Sequence, residues 1–106
     1  MALRAFERPD LTDLVELIET MDNDMNTLRG HVQHAKEMTA EYEEFPTLAN
    51  HVCMELAREN VLHLLKDTAE KLSSFYSVRL TPVEKRLFPF SVFRMTFEEM
   101  IYHNGD

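Results

Sequence analysis

Tryptophan is absent from this chain, glycine occurs twice, and proline four times in 106 residues. Turns draw heavily on glycine and proline, so this scarcity leaves long uninterrupted segments, and in a single small domain such segments point to helices. A lone cysteine, Cys53, excludes an internal disulfide and fits a reducing compartment. No apolar run approaches the roughly 20 residues needed to span a bilayer, and the opening "MALRAFERPD" lacks the apolar stretch of a signal peptide. Basic residues are scarce where they would matter most: Asp10 to Asp24 carries six acids and no Lys or Arg. Direct nucleic-acid binding needs clustered cations to displace counterions, and a membrane-surface helix needs them on its polar face. Both are excluded as expectations. A cytoplasmic protein is expected, and a small viral protein acting in the host cytoplasm would suit the size and the formal net charge of −8.

Apolar side chains make up 44% of the chain, enough for one modest core. Beyond Asp10, a candidate N-cap, they recur in alternating steps of three and four. Leu11, Ile18, Met25, Val32 and Thr39 form one column; Leu14, Met21, Leu28, Ala35 and Tyr42 form the other. This spacing predicts a coiled-coil-like helix over about residues 10–44. Gly30 takes the outermost heptad position, so the helix is expected to continue through it, with His31 flanking the seam and His34 turned mostly to solvent.

The stretch "EEFPTL" ends that helix, because Pro46 disfavours helical geometry at Phe45. A second helix is predicted over about 47–77, with an apolar set broad enough to pack on more than one neighbour: Leu48, Val52, Cys53, Leu56, Leu62, Leu65, Leu72 and Tyr76 among others. So short a connection folds the two helices into an antiparallel hairpin. Thr81, Pro82 and Glu84 spell a capping box that opens a short helix over about 82–88. The segment over about 91–103 reads as helix in preference to strand, since no second strand is evident to pair with it. The expected fold is therefore all-α and single-domain: a long coiled-coil-like hairpin, a short capped helix and a C-terminal helical segment. A bare two-helix hairpin buries only one side of each helix, so the Phe-rich tail, a second copy, or both should cover the rest.

Catalytic and metal chemistry find little support in the spacing. His31, His34 and Glu37 recur every three residues, and Glu55, Glu59 and His63 every four. A di-iron bundle uses Glu-x-x-His pairs aimed inward, however, and this chain has none. Cys53 lies on the apolar side of helix two, where a small buried hydrophobe is expected, and His51 two residues away does not face it. No glycine-rich phosphate loop or nucleophile elbow occurs. The chain is expected to be no enzyme, to carry no cofactor and to hold no metal.

What remains is a surface. Met21, Met25, Leu28 and Val32 form an adaptable apolar seam, and Asp13, Glu16 and Glu19 an acidic flank. Together they predict a protein–protein interaction module, an adaptor, assembly factor or small inhibitor, bound to another protein or to itself as a homo-oligomer. The acidic rod alternatively suggests a mimic of nucleic acid that blocks a basic nucleic-acid enzyme. A helical-bundle metalloprotein is the third reading.

Overall fold

The computed structural model describes residues 11–103, and every described element is a helix. In chain order these are α1 (Thr12–Glu44), α2 (Leu48–Arg79), α3 (Pro82–Leu87) and α4 (Phe90–His103). The first two pack against each other as a hairpin, as the periodicity and the short connection require. Their length, about 50 Å for each at 1.5 Å per residue, makes the molecule a rod of 67 × 21 × 18 Å. The segment read as helix over 91–103 is α4.

Helix α1 runs without interruption through Gly30, where a Cβ would meet nothing within 4 Å. Asp10, the expected cap, lies outside the described residues. Leu11 occupies the cap position and offers no side-chain hydrogen bond. The acceptor comes instead from far along the chain, as Glu84 Oε2 accepts the Leu14 N–H at 2.8 Å.

At the tip of the hairpin, the Phe45 N–H donates to Glu41 O, closing α1. Thr47 then caps α2 by accepting the Asn50 N–H at 3.1 Å. The Asn50 side chain donates back to Phe45 O at 2.8 Å, and Thr47 N–H donates to the same carbonyl at 2.7 Å. These bonds satisfy the backbone groups that helix ends leave open, and they hold the turn in one geometry.

The expected capping box opens α3. Glu84 N–H donates to Thr81 Oγ1 at 3.2 Å, and Thr81 N–H donates to Glu84 Oε1 at 2.8 Å. With α4 it folds back over the base of the hairpin, where Leu17, Met21, Leu72, Tyr76, Leu80 and Phe93 form the core. Aromatic contacts tie this cap down: Tyr76 stacks on Phe93 at 5.1 Å and meets the edge of Phe90 at 5.5 Å. The Tyr76 hydroxyl donates to Phe88 O at 2.7 Å.

Two details of the sequence pattern are corrected by this packing. Ile18, assigned to the seam, is 45% exposed, whereas Leu17 beside it is completely buried. Near the base α1 meets α2 together with the α3–α4 cap, and its inward face turns toward Leu17. Cys53, expected among the buried side chains of α2, is exposed. Its neighbour Met54 points inward, in line with Ala57, Thr68, Leu72 and Tyr76.

Candidate functional site

Burial along the rod is uneven, and the unevenness defines the site. Toward the base α1 buries Leu17, Met21, Met25 and Leu28 and α2 buries Thr68, Leu72 and Tyr76, whereas beyond them the hairpin buries only Ala57 and Met54 of α2. From Arg29 through Cys53, around the tip, none is buried. The seam continues in sequence through Val32, Ala35, Thr39 and Tyr42, but these positions are only half-buried. Helix α4 is the reason. With 14 residues it lies alongside α2 only as far as Leu65, where Ile101 shares a cleft with it. Beyond that point the broad apolar face of α2 has no second neighbour among the described residues, and Leu48, Val52, Leu56 and Leu62 are 46–79% exposed.

The uncovered stretch carries a groove of about 720 Å³ between the two arms. Val32, Ala35, Thr39 and Ala40 of α1 form its floor with Val61 and Leu62 of α2, and Lys36, Glu43 and Arg58 supply its charges. Neither histidine nor cysteine lines it. Ala35, Thr39 and Ala40 carry small side chains, which admit the close approach of another helix at the usual 8–10 Å. Phe45 stands at the tip, 54% exposed, on a backbone anchored by Thr47 and Asn50.

The residues singled out by sequence fall into different surroundings. Met21, Met25 and Leu28 are 0%, 2% and 5% exposed, so they are occupied inside the hairpin. Val32 alone of that set borders the groove. Asp13 and Glu16 meet on Arg79: its guanidinium donates to Asp13 Oδ1 at 2.9 Å and to both Glu16 oxygens at 2.9 and 3.0 Å. Arg79 also lies 4.2 Å over the Phe75 ring. The two carboxylates, Glu16 foremost, raise its pKa further above an already high value. Asp24 is similarly matched by Lys71 at 2.8 Å. Glu19 is exposed. The acidic stripe is thus partly neutralised by cations from α2, which weakens the potential that a nucleic-acid mimic would present.

His31 and His34 are both exposed, and among the described residues no three His, Cys, Asp or Glu side chains gather as a metal site. None of the described helices is long and apolar enough to cross a membrane. Comparison with protein-family models finds no match, and comparisons with curated proteins and with solved structures find none either.

The spacing places Ala35 and Thr39 in the seam but gives no sign that they border a groove, and Lys36 and Ala40 fall outside the seam altogether. One signal was available. The seam loses bulk after Val32, passing through Ala35 and Thr39, at a distance from the tail that a 14-residue helix does not span.

Proposed function

We propose that this chain is a non-enzymatic protein–protein interaction module, an adaptor, assembly factor or small inhibitor, that docks through the distal half of its hairpin. One observation carries this reading: the absence of any buried side chain from Arg29 through Cys53, beside a groove floored by Val32, Ala35, Val61 and Leu62. Leu48, Val52, Leu56 and Leu62 are exposed on the same half of α2, and apolar side chains that gather on one face mark interaction surfaces. Covering it would yield about 25 cal/mol for each Å² of apolar surface removed from water.

The contact surface then lies away from the buried seam methionines. Affinity comes from the groove floor and the exposed side chains near it, and orientation from Lys36, Glu43 and Arg58 at its rim. The acidic flank of Asp13, Glu16 and Glu19 contributes long-range steering at most, since two of its members are tied to Arg79. A cytoplasmic setting accords with this reading, because an exposed lone thiol at Cys53 stays reduced there.

Ala40→Arg tests the proposal. Ala40 is exposed, so the change leaves the hairpin intact while placing a long cation at the centre of the groove. Tagged wild-type chain, Ala40→Arg and the triple variant Asp13→Asn, Glu16→Gln, Glu19→Gln are compared for the proteins they retain from source-cell lysate in high salt. Retention that is lost in Ala40→Arg and kept in the triple variant is expected. Equal retention by wild type and Ala40→Arg would remove the groove from consideration.

A further inference from the structure

A second cleft lies toward the base of the rod, between α2 and α4, and encloses about 370 Å³. Its two walls differ. On α2, Ala69 and Ser73 stand one turn apart with small side chains, and Leu65 continues the row. On α4, Phe93, Phe97 and Ile101 follow one another in steps of four. Phe93 belongs to the core at 3% exposed, whereas Phe97 and Ile101 are half-buried. From Leu65 to Ser73 the cleft runs about 12 Å along the helix axis. Its volume over that length gives a cross-section of about 30 Å². A peptide helix, about 10 Å across, does not enter such a slot, whereas a single hydrocarbon chain does. Sites for small molecules take this form, an apolar cavity between helices with a few polar groups that fix orientation.

The polar groups stand at the opening. Lys66 on α2 and Arg94 on α4 both line the cleft and are exposed, one on each wall. Glu98 lines it too, but meets Arg94 only at 4.0 Å, between side chains 54% and 69% exposed. A contact that loose and that wet contributes little and leaves the guanidinium accessible. Lys66 makes no ion pair or hydrogen bond among the described residues. Two cations against one acid give the opening a net positive charge, in a chain whose formal net charge is −8.

We propose that this cleft binds a single-chain amphiphile with an anionic head, of the fatty-acid class. The hydrocarbon chain lies along Phe93, Phe97 and Ile101, in the space that Ala69 and Ser73 leave open. The carboxylate meets Lys66 and Arg94. Burial of methylenes supplies the affinity, and the two cations fix which end of the ligand faces water. This site is distinct from the distal groove and does not depend on the interaction-module reading.

Dodecanoate, held below the concentration at which it forms micelles, is titrated into the full chain by calorimetry. Nuclear Overhauser contacts between its methylenes and the Phe97 ring locate it. Binding of one dodecanoate per chain, with those contacts, is expected. Lys66→Glu and Arg94→Glu change exposed positions and leave the fold in place. Each is expected to weaken dodecanoate by roughly three- to tenfold and to leave uncharged dodecanol unaffected. Octanoate, which buries fewer methylenes, binds at least about tenfold more weakly than dodecanoate. Ala69→Phe fills the slot and removes both dodecanoate and dodecanol, with circular dichroism reporting that the helices persist. The charge variants carry the test on their own if that substitution unfolds the chain.

A wild-type chain that does not bind dodecanoate overturns the proposal. Equal affinity for dodecanoate and dodecyltrimethylammonium overturns it as well, since the cations would then select nothing. Arg58→Glu is the control for location, because Arg58 lines the distal groove. Binding weakened by Arg58→Glu and untouched by Lys66→Glu would place the ligand there and remove this cleft.

Discussion

Glu84 accepts the backbone N–H of Leu14 across 70 residues of sequence, at 2.8 Å, with 1% of its surface exposed. Its other oxygen accepts the Thr81 N–H at 2.8 Å. One carboxylate thus caps two helices, α1 and α3, and places a negative charge at the positive end of both dipoles. The short α3 is thereby fixed to the base of the hairpin, where its six residues would form no stable helix alone.

Glu84→Ala should destabilise the fold by about 2–4 kcal/mol, the sum of a lost cap and a lost charge-assisted hydrogen bond. Thr81→Ala removes only the local half of the box and should cost about 1 kcal/mol. Denaturant titration reads both. The distinguishing measurement is hydrogen exchange at the Leu14 amide, which should accelerate in Glu84→Ala and not in Thr81→Ala. Equal exchange in the two variants would show that the long-range cap contributes nothing.

Leu17 and Ile18 offer a direct comparison of inward and outward positions. Leu17→Ala should cost about 2–5 kcal/mol by leaving a cavity among Met21, Leu72 and Leu80. Ile18→Ala, at a side chain 45% exposed, should cost below about 1 kcal/mol. Reversal of that order in thermal or chemical unfolding would return Ile18 to the seam.

Burial pushes the Tyr76 hydroxyl above its usual pKa of 10.0, because the phenolate would lose its water. The folded state holds the proton more tightly than the unfolded one. This contribution is complete below pH 10.0 and is lost as pH climbs through the raised folded-state value, where unfolding releases the proton. Tyr76→Phe should cost about 1 kcal/mol near neutrality, by leaving Phe88 O without its donor. It should also flatten the alkaline loss of stability. Denaturation midpoints of the two proteins across neutral and alkaline pH provide the check, and parallel curves would contradict it.

The order and kind of the helices were legible from local rules. Pro46 and Thr47 mark the turn, Thr81-Pro82 with Glu84 marks α3, and the three-four spacing of α1 predicts a partner helix. Each signal acts over a few residues, so it survives in sequence alone. Leu17 was not legible, since its burial depends on Leu80 and Phe93 arriving from the far end of the chain. The candidate site was hidden for a related reason. Bulky seam residues attract notice as binding positions, yet bulk is what an internal core consumes, and Met21, Met25 and Leu28 are consumed there.

By itself, the sequence determined helicity, the hairpin and the capped third helix, because propensity, periodicity and capping are properties of neighbouring residues. Tertiary structure decided which apolar surface is covered. Helix α4 reaches back over the base and stops at Leu65, so burial there turns the seam into core and leaves the groove from Val32 to Glu43 open. Exposure depends on what lies across the gap, and no local pattern encodes that distance.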